Sequence, residues 1–174
     1  MLLKVSEELN LDASPEDVWR LLRDTPRLAA LLPGVESVTS LHEPGVEAYQ
    51  AKASDKIGPF KVALNMEIRV AEAREPLFLK ASIKGADSIG LNRLTGSLEI
   101  TLSPNSSAAQ MRFEANIEIL GKLATLGAIQ IRRRATEKFA EFARNIQAQF
   151  APDVRANLRT QSTPDLPASI KDRR

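Results

Sequence analysis

The chain of 174 residues contains no cysteine. That excludes disulfides, thiolate nucleophiles and zinc–sulfur sites, and accords with a reducing, cytoplasmic setting. A single histidine, His42, rules out a multi-histidine metal centre. No run of 18 or more apolar residues occurs, so no transmembrane helix is expected. The opening MLLKVSEELNLDA has neither a basic n-region nor an apolar h-region, and no secretory leader is expected there. An excess of one charge is also missing. The net charge is +2, and all of it sits in residues 151–174, where five Arg or Lys face three Asp. A neutral 1–150 is not the basic face of a nucleic-acid binder.

What the chain does have is one long helical pattern near its end, Gly121–Phe150. Ala128, Ile131, Ala135, Phe139, Phe142, Ile146 and Phe150 recur in steps of three and four, which places them on one stripe. Arg133, Arg134, Glu137, Lys138, Glu141 and Arg144 occupy the opposite face. Such a helix needs a concave apolar surface to lie against.

The preceding residues read as that surface. Leu3, Val5, Leu9 and Leu11 alternate with polar neighbours, Glu7 excepted, as a first strand. Ser14-Pro15-Glu16-Asp17 opens a short helix with an N-cap serine and a proline at the first helical position. Val18, Leu21 and Leu22 form its buried stripe, with Trp19 as a packing anchor beside it. A second short helix starts at Asp24-Thr25-Pro26 and ends in Leu31-Leu32-Pro33-Gly34, where proline and glycine stop it.

Strands are expected at 35–42 and 46–56, then in four alternating stretches. Val62, Leu64, Met66, Ile68 and Val70 face inward on the first. Leu79, Ala81 and Ile83 do so on the second, Leu94, Gly96, Leu98, Ile100 and Leu102 on the third, and Met111, Phe113, Ala115, Ile117 and Ile119 on the fourth. Seven turn-linked strands and segregated helices predict an α+β helix-grip fold, with a curved antiparallel sheet wrapped around a long C-terminal helix. Residues 1–150 form the domain. Residues 151–174, polar and carrying three prolines, read as a disordered tail.

Catalytic signatures are absent: no nucleophile elbow, P-loop, dinucleotide fingerprint or zinc-protease motif occurs. The inward strand sets named above carry no titratable side chain, whereas general acid–base work needs one within reach of a substrate. Tyr49, Asp55, Asn92 and Arg93 remain as groups for a cavity mouth. The expectation is therefore a non-catalytic pocket for an apolar small molecule. Its lining is assigned to Met66, Ile68, Ile83, Leu94, Gly96, Met111, Phe113, Phe139, Phe142 and Ile146, with Leu31, Leu32 and Pro33 as a lip. At Gly96, the small side chain either opens a void or relieves sheet curvature. Arg132, Arg133, Arg134 and Lys138 are either a solvated outer face or a docking patch for anionic lipid head groups or an acidic partner.

Several pieces together point to a family. They are Ala13–Trp19 (ASPEDVW), Leu31–Ser37 (LLPGVES), Ile57–Phe60 (IGPF), Gly85-Ala86-Asp87 and Leu120–Gly127 (LGKLATLG). Over residues 1–150 the chain resembles the carbon monoxide dehydrogenase G-subunit family of the START-like (SRPBCC) helix-grip superfamily. The resemblance implies an apolar cavity under the last helix and no covalently bound cofactor. It also implies an accessory role to a molybdenum hydroxylase of the carbon monoxide dehydrogenase type. Binding a quinone or other lipid-like ligand, and linking the enzyme to the membrane quinone pool from the cytoplasmic side, are the roles implied. The alternatives are an assembly, maturation or docking factor for such a hydroxylase and, more remotely, a cyclase- or dehydratase-type enzyme.

Overall fold

Alternation of apolar and polar residues dictates most of what the computed structural model shows, over the residues it describes, 1–106 and 108–151. In chain order the elements are β1 (Leu2–Leu11), α1 (Pro15–Arg23), α2 (Thr25–Leu31), β2 (Val35–Glu43), β3 (Val46–Ile57) and β4 (Phe60–Arg74). They continue as β5 (Phe78–Ala86), β6 (Asn92–Asn105), β7 (Ala108–Gly121), α3 (Lys122–Thr125) and α4 (Ala128–Gln149). The strands form one antiparallel sheet in the order β1-β7-β6-β5-β4-β3-β2. β2 to β7 follow one another as a meander, and β1 closes against β7. The expected seven-stranded helix-grip architecture is the one observed.

The helix ends follow local chemistry. The Ser14 hydroxyl accepts from the Asp17 amide at 3.2 Å, and Pro15 needs no amide partner in the first turn. Asp24 ends α1 and caps α2, accepting from the Arg27 amide at 3.3 Å. Gly34 turns the chain from α2 into β2 at φ 86°, and a Cβ there would lie 2.7 Å from the Ser54 carbonyl oxygen. Only glycine satisfies both demands.

The continuous helix expected over Gly121–Phe150 is divided. β7 keeps its ladder to the Asn92–Gly121 pair, α3 makes a single turn, and Gly127 at φ 103° breaks the path before α4 begins. Helical spacing alone overrides neither the β6–β7 pairing nor two glycines with positive φ. The expectation for the tail concerns residues beyond those described.

Apolar packing falls into two clusters. The larger joins α1 (Val18, Trp19, Leu21, Leu22) to the C-terminal half of α4 (Phe142, Ile146) and to Leu9, Leu11, Ile100, Leu102, Met111 and Phe113 of the sheet. Phe113 stacks tilted on Phe139 at 5.3 Å and edge-on to Phe142 at 5.8 Å. Each such buried side chain contributes about 1.5–3 kcal/mol. The smaller cluster, at the other end, holds Leu3, Val5, Ile57, Ile119, Leu123 and Ile131. Asn145 of α4 donates to the Leu31 carbonyl at 2.9 Å and ties α2 to the long helix.

Candidate ligand cavity

Between the N-terminal half of α4 and the sheet lies a cavity of about 210 Å³. Leu3, Ile57, Val62, Leu64, Leu94, Ile117 and Ile119 line it from the strands, Leu123 from α3, and Ile131 and Ala135 from α4. Pro33 and Gly34 border one side. Ala53, Ser54, Asp55, Arg134 and Lys138 complete the wall and supply its polar rim. The space exists because the two halves of α4 meet different partners. The C-terminal half is filled from below by Phe113 and from the side by α1, whereas the N-terminal half offers only Ile131 and the small Ala135.

The sheet face that lines the cavity extends beyond it toward β4 and β5. Register pairs Met66 with Gly85, Gly85 with Leu94 and Leu94 with Ile119, and pairs Ile68 with Ile83, Ile83 with Gly96 and Gly96 with Ile117. Residues directly opposite share a face, so Met66, Ile68 and Ile83 lie on the same concave surface as the lining residues. All three are only half-buried, whereas Met111 and Phe113 farther along are fully buried.

The expected lining is thus brought together in part. Pro33 and Leu94 border the cavity, whereas Met66, Ile68 and Ile83 lie outside its lining, on the same sheet face. Met111, Phe113, Phe142 and Ile146 do not line it: they are closed core, with Phe142 5 % exposed and the other three at 0 %. Phe139 packs between the two apolar clusters, and Leu31 and Leu32 pack on the larger one. Gly96 leaves no room at all. A Cβ there would meet the Asn116 carbonyl oxygen at 2.2 Å and the Ile117 Cα at 2.9 Å, so its role is to let the β6 and β7 backbones approach closely.

The arginine run is also divided. Arg134 does not point away from the sheet. Its Nε and Nη2 donate to the two Asp55 carboxylate oxygens at 2.7 and 2.6 Å, and Lys138 Nζ stands 3.6 Å from Asp55. Arg133 pairs with Glu137 on the outer face, while Arg132 lies exposed beside them. Arg134 and Lys138 therefore form a clamp across the cavity rim, holding α4 to β3. Strand alternation gives no sign of a pair separated by 79 residues of chain; Asp55, one of the four groups considered for a cavity mouth, lies among the lining residues.

β3 also brings polar groups to the inner face, as β1 does with Glu7, opposite Phe113. Tyr49 sits opposite Ile68 and donates to Glu47 at 2.7 Å, and Arg23 at the end of α1 donates to the same carboxylate at 2.6 Å. Partial burial by itself would raise both carboxyls. For Asp55 the Arg134 hydrogen bonds, with the Lys56 amide and the Lys138 charge, outweigh it and hold the group below its ordinary value. For Glu47 the Arg23 and Tyr49 hydrogen bonds do the same. Burial, reinforced by Glu47, pushes the Tyr49 phenol up. Two anions and a neutral phenol result, none poised to exchange a proton near neutrality. Among the described residues no group of three or more His, Asp or Glu is gathered to hold a metal ion, and no helix is long and apolar enough to cross a membrane.

The fold is shared with solved structures of low sequence identity. A conserved protein from Geobacillus kaustophilus is 23 % identical, with a TM-score of 0.74 over 85 % of this chain and 95 % of its own. A START superfamily protein from Mycobacterium smegmatis is 12 % identical, at 0.60 over 84 % and 96 %. The Zhui aromatase/cyclase from Streptomyces sp. R1128 is 11 % identical, at 0.63 over 93 % and 99 %. No curated protein sequence matches. Residues 8–151, which include every described element from the second half of β1 onward, match the family model of the carbon monoxide dehydrogenase G subunit (CoxG), and the chain belongs to that family.

Proposed function

We propose that the protein is a non-catalytic carrier that holds an apolar small molecule, a quinone or other lipid-like compound, between α4 and the sheet. In this reading it serves a molybdenum hydroxylase of the carbon monoxide dehydrogenase type and connects it with quinone of the membrane, acting at the cytoplasmic face. The observation that carries the reading is the apolar cavity, bordered at its rim by Asp55, Arg134 and Lys138 and lying on the same sheet face as the half-buried Met66, Ile68 and Ile83. A volume of about 210 Å³ is less than the roughly 300–1,000 Å³ usual for drug-sized ligands. A ring-sized head group would fill it, and an attached chain would run along Met66, Ile68 and Ile83. The family's name supports the link to carbon monoxide dehydrogenase.

The likeness to an aromatase/cyclase is one of fold. Here the Glu47 and Asp55 carboxylates are engaged by Arg23 and Arg134, which supports binding over proton transfer. Native mass spectrometry of gently purified protein, followed by titration with decylubiquinone, tests the proposal. The expected result is an apolar adduct or saturable one-to-one binding. Protein that is ligand-free in every preparation and does not bind decylubiquinone refutes it. Capture of a hydroxylase from the native cells tests the partner separately, and its absence argues against the accessory role.

A further inference from the structure

The rim of the cavity carries one charge that the fold leaves without a close partner. Ile131, Ala135 and Lys138 follow one another along α4 in steps of four and three, so they share a flank of the helix. All three line the cavity. Lys138 therefore brings its ammonium to the edge of the space that the other two wall with carbon. Its side chain is only 26 % exposed.

The carboxylates around Lys138 are engaged elsewhere. Asp55 accepts from Arg134 at 2.7 and 2.6 Å and from the Lys56 amide at 2.8 Å. Lys138 Nζ stands 3.6 Å from the same carboxylate, close enough for an ion pair but beyond hydrogen-bond distance. Glu137 accepts from Arg133 and Arg134, both at 3.2 Å. Glu36 accepts from the Ser54 hydroxyl at 2.5 Å, and Glu141, three residues beyond Lys138, is exposed. Among the described residues neither of these two forms an ion pair with Lys138. Three cations, Arg133, Arg134 and Lys138, thus meet two carboxylates, Asp55 and Glu137. The charge left over is that of Lys138, whose ammonium has three donors to place. On the α2–β2 side the wall is a glycine. A Cβ at Gly34 would stand 3.9 Å from Lys138 Nζ, so no side chain from that position covers the ammonium.

An apolar chamber with one uncompensated cation on its rim fits a ligand of matching design. A wholly apolar ligand gives the ammonium no partner, and a cationic one is repelled. A neutral carbonyl accepts a hydrogen bond from it, and an ionised oxygen accepts a shorter one, roughly twice as strong. We propose that the cavity selects an apolar ring or chain ended by an acidic oxygen group, a carboxylate or an ionised ring hydroxyl, and that Lys138 recognises that group. The inference rests on the carrier reading and specifies its ligand class.

The test compares probes that share two fused rings and differ in one substituent: 1-naphthoate, the neutral 1-naphthamide and the cationic 1-naphthylmethylammonium. In calorimetric titration of the full chain, naphthoate should bind about tenfold tighter than naphthamide or better, and the ammonium probe most weakly. Lys138→Met should bring the naphthoate-to-naphthamide ratio to about one, and Lys138→Arg, which keeps the charge, should retain most of it. Arg132→Met, at an exposed position of the same helix, should leave the ratio unchanged. Arg134 still holds both Asp55 oxygens in all three variants, so urea midpoints should stay near that of the natural protein. An unaltered naphthamide affinity then separates a lost charge contact from a damaged cavity. Natural protein that binds naphthoate no tighter than naphthamide overturns the proposal. So does a preference that survives Lys138→Met, or one that falls equally in Arg132→Met. If decylubiquinone still binds in those cases, the carrier reading stands and only the ligand class is lost. Natural protein that binds neither decylubiquinone nor any naphthyl probe refutes both.

Discussion

Replacing Ala135 by leucine separates a cavity from a merely loose core, because the two predict opposite signs. Ala135 lies on α4 among the cavity-lining residues and is half-buried. Leucine adds three carbons, and about 0.8 kcal/mol per buried methylene gives roughly 2.4 kcal/mol of favourable transfer. Ordering the side chain costs roughly 0.5–1 kcal/mol, and the weaker helix propensity a few tenths more. With a void of about 210 Å³ to receive the side chain, the net is a stabilisation of about 1 kcal/mol. In a close-packed site the same change is overpacking and costs about 1–3 kcal/mol. Urea denaturation resolves a gap of that size through a shift in midpoint at constant slope. The same variant should bind decylubiquinone at least tenfold more weakly, since the added side chain occupies the space assigned to the ligand. A destabilised variant with unchanged binding would refute both the void and its assignment.

Other substitutions probe the surrounding structure. Phe142→Ala should cost about 3–4 kcal/mol by denaturation while the folded protein keeps its decylubiquinone affinity within about twofold, because Phe142 packs on Phe113 outside the cavity; a selective loss of binding at full stability would contradict that placement. Gly96→Ala should cost about 2–3 kcal/mol, since its Cβ would press on the β7 backbone; a neutral result in thermal unfolding would show that the β6–β7 ladder relaxes freely there. Asp55→Asn should lose about 1 kcal/mol at pH 7, given the partly exposed clamp. Because the folded carboxyl titrates below its ordinary value near 3.8, the stabilisation is present above that value. It disappears as pH falls through the lowered one, so natural protein and variant should converge in acid. An equal gap at pH 7 and in strong acid would exclude the ion clamp as its source.

How far residues alone disclose this molecule depends on the range of the interactions. The α1 cap at Ser14, the turn at Gly34 and the alternation through β4, β6 and β7 are local, and each appears where its chemistry places it. The break at Gly127 is local too, but helical periodicity on both sides masks it. The position of the cavity is not local. One apolar stripe runs along α4, and nothing within it tells that α1 fills one end while Asp55 tethers the other. Met111, Phe113, Phe142 and Ile146 are therefore candidates for a chamber wall by pattern and core by packing. Pro33 and Leu94 are at the cavity by both criteria. The rim clamp joins β3 to α4 across the whole sheet, and only the folded chain brings Arg134 to Asp55.

The central claim is that an apolar ligand occupies the space under the N-terminal half of α4. A crystal structure of the protein grown with decylubiquinone tests it most directly. The account predicts a ring between Ile131 and Ala135 on one side and Val62 and Leu94 on the other, with the alkyl chain along Met66, Ile68 and Ile83. A saturated crystal with that space empty, or with the ring bound elsewhere, would contradict it.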